Sequence, residues 1–493
     1  MSLKLLGKNT VIYAIGNIGT RAAAFLLIPL YIHALSMADF GLLATLQVTI
    51  RIIAVLIGGG MRTALVRFAK EYETKGCLSA LLGTSIAVNL LSSVVISAVA
   101  LWLFRPLFES ILHTSDVYAY VALSCGAALA HAMNIHITSY FRARQQAIRF
   151  MIVGIATAAL LFVLTFLLIY VFPFGVSGAL VAFILANAIV FLGVCACVSW
   201  KIGMRISGSL MPKLFRFGVP QICSQCTELV VASVGVYLLS YYAGLEAVAV
   251  YSLGYKLALI LVITTISPFS LAFEPYVFSN RERLDHKTLI ARSLTYMVLA
   301  VVFVSFGLLV ATRILLPKIA PPEYASAFLV VLLLIPGMTF MGVCYFGQTI
   351  LNAMNRTRVI GIASLITAGF SFVTNFALIN YFHWYGAVLS FNASFILFGL
   401  ILTMIALKRS SITLERRRLI YLVFLFLSLM LTLFALREFP IIRFLVIGLL
   451  AVVLGMLLLL QYDFFHKDEK LVVRQLAARF CSKFGGLACR HIA

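Results

Sequence analysis

Three basic side chains lie deep inside long apolar stretches of the sequence, where a positive charge needs a negative partner. Arg21, Arg51 and Lys256 each stand about nine or ten residues inside such a stretch, which is near half the depth of a bilayer core at ~1.5 Å per helical residue. An Arg or Lys at that depth costs about 2.5–3.5 kcal/mol. These residues therefore predict a cavity that binds an anion, and a multivalent anion such as a pyrophosphate suits them better than a cationic drug.

Polar residues accompany these cations at helical spacing. Asn17 lies four residues before Arg21, and Gln47 lies four residues before Arg51, so each pair shares one helix face. A third polar stripe, Gln221 and Gln225 with Glu228, lies in the stretch before Lys256. The candidate substrate-binding residues are Arg21, Arg51, Lys256, Asn17, Gln47, Gln221 and Gln225.

Glu228 is the acidic member of this set, and the sequence leaves two roles for it open. Its carboxylate is a candidate site for a coupling H⁺ or Na⁺. It also suits a buried ion pair with Arg21 or Lys256 that only fixes the helix register. Even in that second case, three cations face one carboxylate, and the remaining positive charge needs an anion.

The composition identifies the surroundings of these residues. Of 493 residues, 63% are hydrophobic and 11% are charged, with a mean hydropathy of +1.09, whereas soluble chains have about 45–50% apolar and about 25% charged residues. This excludes an ordinary soluble enzyme, a disordered chain and a disulfide-stapled secreted domain. The net charge of +22 arises from short basic clusters between apolar runs, so we expect no nucleic-acid partner.

The apolar runs predict an all-α polytopic membrane protein with 14 transmembrane helices. The Lys and Arg residues concentrate in alternate loops while Asp and Glu do not, which predicts cytoplasmic N- and C-termini. The predicted spans are 11–35, 41–66, 78–104, 117–138, 150–172, 176–200, 216–242, 247–273, 291–316, 325–348, 359–382, 386–407, 418–436 and 442–462.

An internal repeat predicts two six-helix lobes. The run that starts at Arg142 and the turn at Gly178-Ala179 are echoed by the run from Asn352 and the turn at Gly386-Ala387, about 208–210 residues later. Because six spans separate the copies, the repeat is parallel, with its axis along the membrane normal. The predicted parts are an N-terminal lobe (1–205), a C-terminal lobe (206–412), two extra helices (413–462) and a basic amphipathic cytoplasmic tail (463–493).

Helix breakers lie within several predicted spans and are candidate hinges, although Pro and Gly are common in membrane helices in any case. They are Gly58, Gly59, Gly60, Pro29, Pro220, Pro268 and Pro336.

Other motifs carry little weight. Cys223 and Cys226 form a C-x-x-C motif without a βαβ context or a second pair, so neither redox chemistry nor a metal site is expected. His131 and His136 are five residues apart, which predicts rings on different helix faces. Motifs for nucleotide hydrolysis and for serine hydrolases are missing. We expect no catalytic residues, no metal and no cofactor beyond a coupling ion.

Four segments carry a resemblance to a known family. They are Leu30-Tyr31, Ala38–Gly41, Phe215–Pro220 and Val250–Lys256. In their order and spacing the chain resembles the bacterial polysaccharide (O-antigen type) flippases of the multidrug/oligosaccharidyl-lipid/polysaccharide exporter superfamily. It is similar also to the lipid II flippases, which have fourteen spans and cationic central cavities.

The resemblance implies a flippase of the bacterial inner membrane that serves lipopolysaccharide or exopolysaccharide assembly. Its cargo would be an undecaprenyl-pyrophosphate-linked oligosaccharide, moved to the outer leaflet by alternating access. Arg21, Arg51 and Lys256 would bind the pyrophosphate, and the implied partners are membrane lipids, a polysaccharide polymerase and glycosyltransferases.

Two further classes compete with this interpretation. A cation-coupled exporter of small molecules is the first, although drug-exporting relatives usually stop at twelve spans and tend to use acidic cavity residues. A membrane-embedded glycan polymerase or ligase is the second, but it needs a large outer loop with catalytic residues, and the predicted outer loops are short.

Overall fold

The computed structural model describes residues 25–102, 105–112, 114, 116–144, 146–279, 286–354, 356–461 and 464, and all regular structure within them is helical. This confirms the all-α fold class. The helices are α1 (Phe25–Ala34), α2 (Met37–Gly58), α3 (Met61–Thr74), α4 (Leu78–Trp102), α5 (Arg105–Leu112), α6 (Val117–Ala143), α7 (Ala147–Phe166), α8 (Gly175–Ile202), α9 (Met211–Leu261), α10 (Ser267–Ser279), α11 (His286–Ile319), α12 (Ala327–Ala353), α13 (Thr357–Phe382), α14 (Trp384–Ser410), α15 (Arg416–Ala435) and α16 (Ile441–Gln461).

The helices are those of a multi-pass membrane protein. Within the described residues, 11 helical stretches are long and apolar enough to cross a bilayer, and Phe25–Ala34 and Ile442–Val452 are shorter apolar helices. Each predicted span from the second to the last overlaps a helix. Of the first predicted span, 11–35, only the part from residue 25 onward is described. The short helix α5 lies in what the sequence predicts as an outer loop.

The second predicted span is interrupted at the glycine run. α2 ends at Gly58, and α3 begins at Met61. Between them, Gly59 and Gly60 have left-handed backbone angles, with φ of 49° and 72°. Side chains with a Cβ rarely adopt this conformation, whereas glycine does so without steric cost. The predicted hinge in this span is therefore the point where the helix breaks.

α9, a helix of 51 residues, contains the seventh predicted span and more than half of the eighth. Gly244 interrupts it with φ 80° and ψ 175°, so the predicted outer loop at 243–246 is reduced to a turn at one glycine. A π-helical turn, Val262–Ile266, then connects α9 to α10. The chain therefore passes from the seventh to the eighth predicted span with almost no connecting loop.

The proline inside α12 shows how a neighbouring helix replaces lost backbone bonds. Pro336 has no N–H to donate. The Asn392 side chain from α14 lies beside it: Gly337 N donates to its Oδ1 at 2.8 Å, and its Nδ2 donates to Leu333 O at 2.7 Å. Such replacement is what allows proline in a helix surrounded by lipid.

α15 is anchored on α11 by a carboxylate. Glu415 accepts hydrogen bonds from Thr295 Oγ1 and from Arg418 Nη1, both at 2.9 Å. Arg418 also lies over the ring of Phe464, 4.5 Å from its centroid. Apart from Phe464, the predicted tail helix at 463–493 lies outside the described residues.

The two predicted lobes meet mainly where α2 packs along α9, and the largest apolar core runs through both of them. Glycine makes this approach close. A Cβ at Gly41 would collide with the backbone of Leu245, and one at Gly60 would collide with the backbone of Gly218. The division of the chain at residues 205 and 412 stays a prediction.

Candidate functional site

Arg51 lies in α2, seven residues before the helix ends at Gly58. Its side chain is exposed and, among the described residues, forms no ion pair with an acid. It acts electrostatically on Tyr237, Tyr255 and Lys256, all of which belong to α9. A cation of the N-terminal lobe therefore faces the same region as a cation of the C-terminal lobe.

Lys256 is partly buried. Its ammonium nitrogen lies 4.9 Å from the ring centroid of Phe40, in the first turn of α2. A cation over an aromatic face is stabilised by about 0.5–2 kcal/mol, which offsets only part of its desolvation. Within the described part of the chain, no carboxylate forms an ion pair with Lys256. Two candidate residues, Arg51 and Lys256, are thus brought together without an acidic partner.

The other candidate residues are placed only in part. Gln47 is partly buried one turn before Arg51, on the same face of α2. Asn17 and Arg21 lie outside the described residues. α9 also contains three candidates whose side chains lie outside the described part of the structure: Gln221, Gln225 and Glu228.

A cavity of about 160 Å³ lies on the predicted cytoplasmic side of Arg51. The helices α2, α3, α4 and α6 form most of its wall, and α9 contributes Leu229. Among its lining residues are two arginines, two histidines and an asparagine: Arg51, Arg62, His131, His136 and Asn89. None of the described residues that line it is acidic, so the cavity is positively charged.

The break in the second predicted span places both arginines on this cavity. Arg51 lies before the break and Arg62 lies after it. Gly58 and Gly60 line the cavity between them. On one uninterrupted helix, a separation of eleven residues would place the two side chains on nearly the same face, about 20° apart. They would then lie ~16 Å apart along the helix axis. Because the span is interrupted, the two arginines lie on two separate helices, α2 and α3, and both border the same cavity.

The two histidines lie on different faces of α6, as their spacing predicts, yet both reach the cavity. His131 and His136 both line the cavity, although five residues place them ~140° apart around α6. The cavity covers a wide sector of this helix, since Ala132 and Ile135 line it too. His136 Nε2 lies 2.8 Å from Ser85 Oγ on α4.

Arg62 and Asn89 are functional candidates that the sequence reasoning missed. Arg62 lies near the predicted membrane boundary, where a basic residue is ordinary. A signal was nevertheless present, because Arg62 stands only two residues after the glycine run Gly58–Gly60. Asn89 is the only amide side chain in the stretch 78–102, where the other polar residues are serines and a threonine, and it carries no pattern of its own.

Direct bonds join the lobes on both sides of the cavity. Near the middle of α2, Tyr237 OH lies 2.8 Å from Thr49 Oγ1. Thr49 Oγ1 also lies 3.1 Å from Thr45 O, to which it donates. The tyrosine therefore donates to the threonine, because a hydroxyl has a single proton.

On the predicted cytoplasmic side, the start of α9 is held against α3. Lys213 Nζ donates to Glu71 Oε1 at 3.2 Å and lies 4.6 Å from the ring centroid of Phe68. Phe68 in turn meets Phe217 edge-on at 5.4 Å. The hydrogen bond to Glu71 raises the pKa of Lys213, so this exposed ion pair persists at neutral pH. In the described residues, no cluster of His, Cys, Asp and Glu could hold a metal ion.

Comparison with solved structures identifies the fold. The lipid II flippase MurJ in an inward closed conformation superposes with a TM-score of 0.74 at 13% identity, over 92% of this chain and 100% of that one. An inward-facing MATE-family multidrug resistance transporter of the MOP superfamily gives 0.60 at 15% identity, over 83% and 95%. A MOP superfamily transporter from Pyrococcus furiosus Vc1, whose binding pocket is described as reversed in polarity, gives 0.58 at 16% identity, over 82% and 96%.

Sequence comparison identifies the family. No curated protein sequence matches the chain. A family model described as "Polysaccharide biosynthesis protein" matches residues 6–281, more than half of the 493 residues. The structural neighbours are transporters and flippases rather than enzymes. The chain therefore belongs to the polysaccharide biosynthesis protein family and has the fold of the MOP-superfamily transporters.

Proposed function

We propose that the protein is a flippase that moves polyprenyl-pyrophosphate-linked oligosaccharide units from the cytoplasmic to the outer leaflet of the bacterial inner membrane. Undecaprenyl pyrophosphate is the proposed carrier, and O-antigen or a related surface polysaccharide is the proposed product. Both termini lie in the cytoplasm in this proposal, and no cofactor takes part apart from a coupling H⁺ or Na⁺. The membership of the polysaccharide biosynthesis family supports a saccharide cargo.

The single observation that carries the proposal is the pairing of Arg51 with Lys256. Two cations from different lobes act on one another across their interface, and within the described residues neither has an acidic partner. Like charges repel, and the partly buried charge of Lys256 also costs free energy because it is shielded from water. A pyrophosphate would relieve both costs because its oxygens accept charge-assisted hydrogen bonds from both groups. The cavity beside Arg51 adds further positive charge on the side from which the cargo enters.

The test is a flipping assay in proteoliposomes with a fluorescent polyprenyl-pyrophosphate oligosaccharide. We expect Arg51→Ala and Lys256→Ala to lower the rate at least tenfold, because each removes a charge-assisted bond of about 1.5–3 kcal/mol. Arg21→Ala tests the remaining candidate in the same way. The matched control is Arg149→Ala: this arginine is exposed on α7 and donates to Gln146, outside the cavity.

The proposal fails if wild-type protein does not move the lipid, or if Arg51→Ala and Lys256→Ala move it at the wild-type rate. The alternative of a cation-coupled small-molecule exporter requires transport of a cationic dye, and we expect none, since the described cavity wall is positive. Lipid II offered beside the oligosaccharide lipid in the same assay separates the two flippase classes. Collapse of the H⁺ or the Na⁺ gradient identifies the coupling ion, and Glu228→Gln tests its site.

A further inference from the structure

The cavity in the N-terminal lobe contains groups for which the proposed function has no use so far. Arg62, Asn89 and His136 border it, but they lie away from the contact between Lys256 and Phe40. They come from three different helices, α3, α4 and α6. Polar groups that converge from separate helices on one space are the usual composition of a ligand site.

The charge of this cavity is not neutralised within the described structure. Arg51 and Arg62 both line it, and Arg142 at the end of α6 is close enough to act on Arg62 electrostatically. The nearby acids of α3 are engaged elsewhere: Glu71 pairs with Lys75 and Lys213, and Glu73 pairs with Arg144. A cavity with this charge favours a negatively charged ligand.

Two buried side chains that line the cavity have polar atoms without a partner. Asn89 is 1% exposed, and neither its Nδ2 nor its Oδ1 forms a hydrogen bond within the described residues. His136 is also 1% exposed, and its Nδ1 has no partner there. An unsatisfied buried polar group costs about 1–3 kcal/mol. A ligand in the cavity would remove this cost for three atoms at once.

The hydrogen bond of His136 fixes what its free nitrogen offers. Ser85 Oγ lies 2.9 Å from Leu82 O and donates its single proton there. It therefore accepts from His136 Nε2–H. Nδ1 then has a lone pair that accepts a hydrogen bond from a hydroxyl of the ligand. The amide of Asn89 offers both a donor and an acceptor. Together with the two arginines, this set matches phosphate oxyanions that lie next to a hydroxyl, as they do where a diphosphate is attached to a sugar.

We propose that this cavity is an entry site for a phosphate group, in which Arg51 and Arg62 bind the oxyanions and Asn89 and His136 complete the hydrogen bonds. Its volume of about 160 Å³ exceeds the ~30 Å³ share of one liquid water several times and admits a phosphate. The identification of the ligand as the diphosphate of the lipid carrier rests on the proposed function. Cargo would bind here before Arg51 passes it on to Lys256.

The first test measures the affinity of the purified full-length protein in nanodiscs for inorganic pyrophosphate at fixed ionic strength. We expect Arg62→Gln to raise Kd about tenfold to hundredfold, because one charge-assisted bond is lost. The matched control is Arg67→Gln, on the same helix but away from the cavity; Arg67 lies over Phe68 instead. An unchanged Kd in Arg62→Gln overturns the proposal.

The second test fills the cavity without removing a polar group. A Cβ at Gly58 would meet open space, and Gly58 lines the cavity, so Gly58→Leu would occupy the site without a backbone collision. We expect loss of pyrophosphate binding with little change in Tm. Gly193→Leu is the control: Gly193 also has open space around its Cβ position but lies on α8, outside the cavity. Wild-type binding by Gly58→Leu overturns the proposal.

The third test separates a ligand role of Asn89 from a structural one. Asn89→Leu removes a buried amide without protein partners in the described residues. We expect Tm to hold or rise while Kd for pyrophosphate rises about tenfold. A lower Tm with unchanged Kd assigns Asn89 a structural role and overturns its place in the site.

The source of the phosphate group is distinguished by three probes: inorganic phosphate, pyrophosphate and geranyl diphosphate. Geranyl diphosphate that competes with pyrophosphate supports the lipid carrier, whereas its failure to compete overturns the entry role. The flipping assay then separates the two proposals. If wild type flips lipid and both Arg62→Gln and Gly58→Leu do so equally fast, the entry site is wrong and the flippase stands. If pyrophosphate binding depends on Arg62 but no lipid is moved, the anion site stands and the cargo is wrong.

Discussion

Asn89 and Asn392 both occupy apolar helices, one in each lobe, but their amides have opposite surroundings. Both amide atoms of Asn392 form hydrogen bonds with the backbone next to Pro336. Asn89 is buried more deeply than the partly buried Asn392, and neither of its amide atoms has a partner among the described residues. The amide of Asn392 stabilises the packing of α12 on α14, whereas Asn89 lines the cavity.

Three glycines show the same contrast between close packing and open space. Gly254 and Gly347 of the C-terminal lobe lie against neighbouring helices, so a Cβ would come within 2.5 Å of Val330 Cβ and 2.9 Å of Thr403 N respectively. Gly58 in the N-terminal lobe borders open space. Gly254, Gly347 and Asn392 therefore serve helix packing, whereas Gly58 and Asn89 border a cavity.

The largest effect on stability is expected from filling a packed glycine position. Gly254→Leu should lower the stability by about 3 kcal/mol, because overpacking forces helices apart. Gly58→Ala should leave it unchanged or raise it slightly, since alanine favours helix over glycine. Thermal unfolding in detergent measures both. Equal losses in the two variants would contradict the contrast between the regions.

The two asparagines provide a second contrast. Asn392→Leu should cost about 2 kcal/mol, because Gly337 N and Leu333 O lose their partners in an apolar setting. Asn89→Leu, the same change in the other lobe, should cost nothing. The difference in Tm between these variants is the measurement, and a drop of similar size in both would show that Asn89 also supports the fold.

A smaller effect is expected where the lobes are joined by hydroxyls. Thr49→Val removes the acceptor of Tyr237 and should cost about 1 kcal/mol. Tyr237→Phe should cost a similar amount, and the double variant no more than either single one, because both remove the same bond. If the two stability losses add in the double variant, the hydrogen bond between Thr49 and Tyr237 is contradicted.

The smallest effect concerns the exposed ion pair on the predicted cytoplasmic side. Lys213→Gln should leave Tm unchanged at physiological salt, because exposed ion pairs are screened and conformationally costly. The raised pKa of Lys213 means that deprotonation, and with it loss of the pair, begins only at strongly alkaline pH. A clear Tm loss in Lys213→Gln at neutral pH would assign this contact a larger share in holding the lobes together.

The sequence predicts the fold well, because its signals are local. Apolar runs of bilayer length and the glycine run at Gly58–Gly60 fix where helices form and break, and the structure agrees at both levels. The depth of Arg51 and Lys256 also follows from counting along a helix. Their approach to one another does not, since it depends on how α2 packs along α9.

The cavity could not be predicted from spacing alone. His131 and His136 lie ~140° apart around their helix, and only a cavity that wraps around α6 includes both. Asn89 is conspicuous solely because neighbouring helices leave its amide without partners, which no single stretch of sequence reveals. Arg62 joins the site because the chain breaks just before it, a consequence that requires the directions of two helices.

The contacts of Gly41 with Leu245 and of Gly60 with Gly218 have a mechanical consequence. Near both ends of α2 a glycine lets two main chains come into direct contact. A Cβ at either position would push these main chains apart, so the two glycines set how closely the two lobes approach one another at α2.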